Sequence, residues 1–118
     1  MTGRRSLSLA FAAVLIVGLS ATAWAGFKEG ERAFDKGDYA EAAVQWRPLA
    51  EDGDARAQTN LGHLYRLGQG VERDYAQALK WYRRAADQGS TRAQANLGNL
   101  YIKGFGGEAG PGAGVALV

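Results

Sequence analysis

The chain has no cysteine among its 118 residues, one methionine and two prolines. The first absence removes disulfides, cysteine-zinc sites and thiolate nucleophiles together, so the core must hold by packing alone. Past Ala25 there is one serine, Ser90, and one histidine, His63. Metal sites gather several His, Cys or carboxylate ligands, and one histidine with scattered acids falls short of that. Net charge is small too. Fourteen Lys+Arg stand against twelve Asp+Glu, and two of the fourteen, Arg4 and Arg5, lie in a segment expected to be removed. The remainder is balanced, which argues against a diffuse electrostatic grip on nucleic acid. The length leaves room for one domain.

A long apolar run is also missing. The stretch from Leu7 to Leu19 covers about 13 residues, short of the roughly 20 that cross a bilayer. With Arg4-Arg5 before it and Ala23-Trp24-Ala25 after it, residues 1–25 read as a secretory signal peptide cleaved after Ala25. The mature chain then starts at Gly26, is periplasmic or secreted, and has no stable membrane insertion. Gly3 before the arginine pair and Ser6-Leu7 after it make a poor twin-arginine motif, and the choice between that export route and the general one stays open.

What the mature chain does have is a repeat. At an offset of 36, Gly53, Arg56, Ala57, Gln58, Asn60, Leu61, Gly62, Leu64, Tyr65 and Gly68 fall on Gly89, Arg92, Ala93, Gln94, Asn96, Leu97, Gly98, Leu100, Tyr101 and Gly104. Asp38-Tyr39-Ala40, Ala42, Arg47 and Ala50 fall likewise on Asp74-Tyr75-Ala76, Ala78, Arg83 and Ala86. A period of this size means stacked two-helix units. Apolar residues recur at three and four (Ala57, Leu61, Leu64, Tyr65; Ala78, Leu79, Tyr82, Ala85, Ala86) and mark the faces turned to neighbouring helices. Asp38, Asp54, Asp74 and Ser90 are expected as N-caps, Asp38 with Glu41 and Asp74 with Gln77 in capping-box spacing. Gly37, Gly53, Gly68 and Gly89 are expected to close helices. Helices are thus predicted at 27–36, 38–52, 54–67, 74–88 and 90–103, with Pro48 bending the second and Gly62 and Gly98 allowing close helix approach.

The run Ala57-Gln58, Leu61-Gly62, Leu64-Tyr65, Gly68, Gly70-Val71, Asp74, Ala78, Trp81-Tyr82, Ala85-Ala86, Gly89 resembles a complete Sel1-like repeat, a relative of the tetratricopeptide repeat. Gly37-Asp38-Tyr39 with Ala42, Trp46-Arg47-Pro48-Leu49-Ala50 and Gly53 resembles the opening unit common in bacterial members. The first hairpin is shorter, since Gly30 to Gly62 is 32 residues, as if the 68–71 loop were absent. The resemblance spans Phe27 to Gly104. It implies an all-α fold, a right-handed α/α solenoid of two to two-and-a-half hairpins at 26–104, used as a scaffold for protein partners without chemistry of its own.

The residues offer little for catalysis. Ser90 is taken as a helix cap and lies about one repeat from His63. Carboxylates at Glu29, Glu31, Asp35 and at Glu51, Asp52, Asp54 cluster at helix ends, where they are solvated partners of the dipole. Gly68-x-Gly70 lacks the Gly-Lys-Ser/Thr of a phosphate loop. Some secreted relatives resemble β-lactamase-like proteins with a disulfide in each repeat, which this chain lacks; a small cell-wall-active hydrolase is the alternative reading. We expect no cofactor and no metal.

A binding surface remains. In this architecture the first helix of each hairpin lines the concave side, so Arg56, Asn60, His63, Arg66, Arg92, Asn96, Asn99 and Lys103 are the candidate contacts, with Thr59 also outward. This groove reads as basic, suited to a protein or peptide with an acidic stretch or a C-terminal carboxylate. After Gly104 the pattern stops in a Gly-rich tail, 105–118, that is too glycine-rich for a helix. The third hairpin then lacks its second helix, leaving Leu97, Leu100 and Ile102 partly uncovered. Two explanations stand: a partner covers that face, or the third hairpin is truncated, since a shifted reading frame in a GC-rich gene also yields such composition.

Overall fold

A computed structural model describes residues 22–104, all of whose regular structure is helical. Helix α1 is described over 22–35; α2 is Tyr39–Glu51, α3 Ala55–Leu67, α4 Tyr75–Asp87 and α5 Thr91–Ile102. Helices α2 to α5 end within one residue of the expected limits. The first differs, being helical from residue 22 rather than 27 and running through Ala25–Gly26. Trp24 accounts for part of this: Lys28 lies 5.0 Å and Arg56 5.7 Å from its ring. Residues 1–21 and the 105–118 tail lie outside the described residues.

Three of the four connections are one device used repeatedly. Gly37, Gly53 and Gly89 have φ of +80°, +102° and +94°. The glycine N–H reaches back to Phe34, Ala50 or Ala86, and the next N–H, of Asp38, Asp54 or Ser90, reaches Ala33, Leu49 or Ala85 at 2.8–3.1 Å. This is the paired closure of a Schellman turn. The residue that completes it is also the N-cap of the next helix: Asp38 accepts from Glu41 N, Asp54 from Arg56 N and Ala57 N, Ser90 from Ala93 N. Asp74 likewise accepts from Gln77 N. The expected capping boxes are therefore half formed. The N–H groups of Asp38 and Asp74 are already satisfied by Ala33 O and Tyr65 O, and Glu41 instead accepts from Gln45.

The α3–α4 connection is longer. Gly68 caps α3 at φ +69°, and Gly70, at φ +71°, is pressed so close to the start of α2 that a Cβ would lie 2.3 Å from the Tyr39 carbonyl carbon. This loop therefore braces the second hairpin on the first.

Helices α2 to α5 each pack on the next in sequence, α1 meets α2 through Trp46, and two aromatic side chains seat in glycine gaps. The Trp46 ring fills the space beside Gly30, where a Cβ would meet it at 2.2 Å, and Tyr82 fills the space beside Gly62, at 2.8 Å. Trp46 is also locked by donating to Phe27 O at 3.2 Å and by Phe34, its ring centroid 5.9 Å away. Gly98 occupies the equivalent position on α5, and a Cβ there would meet nothing within 4 Å outside its own helix among the described residues. The close approach expected there is thus absent among the described residues. Leu100 corrects the expected uncovered face: it is buried against α4, whereas Leu97 is half-buried and Ile102 is 65% exposed. Helix α2 runs unbroken through Pro48. Pro48 and Val44, whose carbonyl loses its partner, are both exposed, so water can take the bond.

Gln58 is the more deeply buried of two buried polar residues among those described, at 1% exposure. It donates to Ala50 O and accepts from Gln88 Nε2, tying the end of α2 to the end of α4. Gln94, one period on, donates to Ala86 O in the same way.

Candidate functional site

Helices α1, α3 and α5, the first of each hairpin, share one side of the molecule. Three adjoining depressions follow it. One of about 290 Å³ is lined by Glu31, Phe34 and Asp35 of α1, Asn60 and His63 of α3, and Arg92 of α5, with Trp46 behind. A second, of about 210 Å³, has Arg66 and Leu67 of α3, Arg73 of the α3–α4 loop, Tyr75 at the start of α4, Asn96, Asn99 and Leu100 of α5, and Lys103 at its C-cap. A third, shallower one, of about 530 Å³, runs from Phe27 past Arg56, Thr59 and Asn60 to Ser90 and Arg92. All eight candidate residues line one or another of these.

Their local engagements differ. Arg56 is exposed but occupied: its guanidinium donates to both oxygens of Asp54, at 3.2 and 2.8 Å, and lies 4.2 Å over the Phe27 ring. Burial raises the Asp54 pKa, but the Arg56 bond together with the backbone N–H groups of Ala57 and Arg56 outweighs it and holds the carboxyl below its ordinary value. Arg56 thus helps fix α1 on α3. Arg66 is half-buried, donating through Nε to Tyr82 OH at 3.2 Å, with Nη2 at 3.0 Å from His63 Nδ1. Guanidinium has no acceptor, so Nδ1 accepts and the imidazole proton sits on Nε2. Burial, then the charges of Arg66 and Arg92, hold the His63 pKa below its usual 6.5, and the ring is neutral at pH 7. Arg92, Asn99 and Lys103 are exposed. Among the described residues Arg66, Arg73, Arg92 and Lys103 enter no ion pair, and the amides of Asn60, Asn96 and Asn99 make no hydrogen bond to protein.

Two expectations need correction. Thr59 is buried, at 3% exposure: its hydroxyl donates to Ala55 O at 2.8 Å and lies 3.3 Å from Ser90 Oγ, since the α4–α5 corner folds over it. Nor is the groove uniformly basic. Helix α1 contributes Glu31 and Asp35 opposite Arg92. An offset of 32, the one relating Gly30 to Gly62, places Glu31 on His63 and would have shown it. Arg73 was missed because the loop that carries it lies outside the helical periodicity, and Tyr75 because its place in the repeat, at the start of α4, does not show that it borders α5.

For chemistry, Ser90 Oγ is engaged with Ala93 N and Thr59, while His63 faces Arg66. Among the described residues no three His, Cys, Asp or Glu side chains converge as metal ligands, and no helix is long and apolar enough to cross a membrane.

A comparison with curated proteins finds no match. Among solved structures, a protective antigen of uropathogenic Escherichia coli displaying an SLR fold is 35% identical with a TM-score of 0.67, over 70% of this chain and 18% of that one. A Sel1 repeat protein from Oxalobacter formigenes is 36% identical with a TM-score of 0.66, over 80% of this chain and 40% of that one. The chain therefore spans well under two thirds of either neighbour. The sequence model of the Sel1 repeat matches residues 55–90 and again 91–116, the second match starting on α5 and passing beyond Gly104. Two matched repeats covering more than half of the sequence, on helical hairpins stacked as in the SLR neighbours, make this chain a member of the Sel1 repeat family.

Proposed function

We propose that this protein is an exported scaffold of the cell envelope that binds a protein or peptide partner along the side formed by α1, α3 and α5, with no catalysis of its own. Sel1 repeats are in general non-catalytic scaffolds for protein–protein contact. The observation that carries the reading for this chain is the set of groups left unsatisfied on that side. Arg66, Arg92 and Lys103 have no ion-pair partner, and the Asn60, Asn96 and Asn99 amides have no protein hydrogen bond, among the described residues. Amides spaced along a groove suit the backbone of an extended chain, and cations suit an acidic stretch or a terminal carboxylate. Export rests on the composition of residues 1–25. With that segment removed, mature protein has its N-terminus at Gly26, and Trp24 no longer lies against Arg56.

The test is capture from envelope extract with purified protein as bait. Parent protein retains a partner that the Arg92→Ala/Lys103→Ala variant retains poorly, and retention falls with added salt, because exposed pairs are screened. Arg56 is a poor choice for such a variant, since it also holds Asp54 and Phe27. Equal capture by both proteins at every salt concentration would move the binding surface elsewhere.

A further inference from the structure

The 210 Å³ depression between α3, α4 and α5 differs from the rest of the groove. Its floor is apolar, Leu100 at 2% exposure with Tyr75 and Leu67 as walls. Three cations, Arg66, Arg73 and Lys103, stand around it, and no carboxylate lines it. The nearest acids in sequence are Glu72 and Asp74; both are exposed, and the Asp74 carboxylate is taken by Gln77 N. Arg66 is held in place from behind by Tyr82 and His63, so its remaining N–H groups are pre-organised. The Arg73 guanidinium lies over the Tyr75 ring, 5.4 Å from its centroid. Asn96 and Asn99 add amide donors and acceptors from α5.

The neighbouring depression has the opposite bias at its far wall, where Asp35 of α1 faces the groove beside Glu31, the latter paired with Lys28 at 3.2 Å. The two depressions adjoin through the His63–Arg66 contact, so one continuous track runs from a cationic pocket to an acidic wall.

Resting on the peptide-binding reading above, we propose that this pocket takes the C-terminal residue of an extended peptide, and that the track fixes the direction of the chain. The terminal carboxylate meets Arg66, Arg73 and Lys103, and an aliphatic side chain drops between Leu67 and Tyr75, over the buried Leu100. The last peptide group bonds Asn96 or Asn99. Upstream residues run toward α1, where Asp35, which enters no ion pair among the described residues, favours a lysine or arginine and repels a carboxylate. A chain laid in reverse would set its terminal carboxylate beside Asp35, like charge against like. An anion alone, such as phosphate, would leave the apolar floor uncovered, and this favours a residue bearing both a carboxylate and a side chain.

The test uses decapeptides randomised at their last four positions and at three upstream positions, made as free acids and as C-terminal amides, and titrated with purified protein. Free acids ending in an aliphatic residue should be selected, and their amides should bind at least about tenfold more weakly, the loss expected for a charged hydrogen bond. Arg73→Ala and Lys103→Ala, both at exposed positions, should each shrink the acid–amide difference. Asp35→Asn should instead abolish the upstream preference for lysine or arginine and leave the difference intact. Equal binding of acids and amides would overturn the pocket assignment while leaving the peptide groove standing, as would full competition by inorganic phosphate at the peptide's own concentration. Failure of both peptide forms to bind would overturn the groove itself.

Discussion

Two glycines show how position decides the worth of a residue. Gly62 and Gly98 are one period apart, each preceded by Asn-Leu, yet a Cβ on Gly62 would sit 2.8 Å from the fully buried Tyr82 ring and 3.3 Å from Ala78 O, whereas one on Gly98 would meet nothing within 4 Å among the described residues. Gly62→Ala should therefore destabilise by about 1–3 kcal/mol through overpacking. Gly98→Ala should be neutral or stabilising by up to about 1 kcal/mol, since alanine is the better helix former. Chemical denaturation of the two variants measures both, and equal losses would contradict the described end of the stack. The periodicity identified these as equivalent sites, but only the packing of the following helix separates them.

His63 gives a second expectation at this scale. Its pKa is depressed in the folded state, so the unfolded chain binds the proton more readily and stability falls as pH drops through 6.5 toward the folded value. The slope contributed is at most about 1.4 kcal/mol per pH unit. Denaturation at pH 7 and pH 5 should show a smaller loss on acidification for His63→Gln than for the parent. An identical loss would mean that the ring is not buried beside Arg66.

At the scale of elements, much of this fold was legible. Caps at Asp38, Asp54, Asp74 and Ser90 and left-handed glycines at their expected places set the limits of α2 to α5, because these signals act through the backbone within a few residues. What depends on contacts between hairpins was less legible. Thr59 falls on the outward side of α3 when that helix is taken alone, and the Ser90 corner covers it. The role of Gln58 and Gln94, each bonding a carbonyl at the end of the preceding helix, needed the corner geometry to be seen. The acidic wall at Glu31 and Asp35 was hidden by the shorter first hairpin, which shifts α1 out of the 36-residue register.

The same reasoning orders two core leucines. Leu61 is fully buried with helices on both sides, and Leu97, its equivalent on α5, is only partly buried. Leu61→Ala should cost about 2–5 kcal/mol, and Leu97→Ala clearly less, as read from denaturation midpoints. Equal costs would mean that α5 is covered in solution.

For the whole molecule, processing and binding are the claims to check. Mass spectrometry of exported protein should find Gly26 or Phe27 at the N-terminus, and a mature chain that keeps Arg4 and Arg5 would contradict cleavage. Of the eight residues expected in the groove, Asn60, His63, Arg66, Arg92, Asn96, Asn99 and Lys103 line two adjoining depressions, while Arg56 lines the shallower third and is bound to Asp54. The helical alternation of the repeat carried that much, since it assigns a side to each helix. It carries no information about Arg73, which reaches the same place from a loop.

The most direct measurement is the map of backbone amide shifts when a captured partner or selected peptide is titrated into isotopically labelled protein. Perturbed amides should cluster on α1, α3, α5 and the start of α4, around Asn60, His63, Arg73, Asn96 and Asn99. A map confined to the exposed faces of α2 and α4, with α3 and α5 unmoved, would contradict the groove as the binding surface.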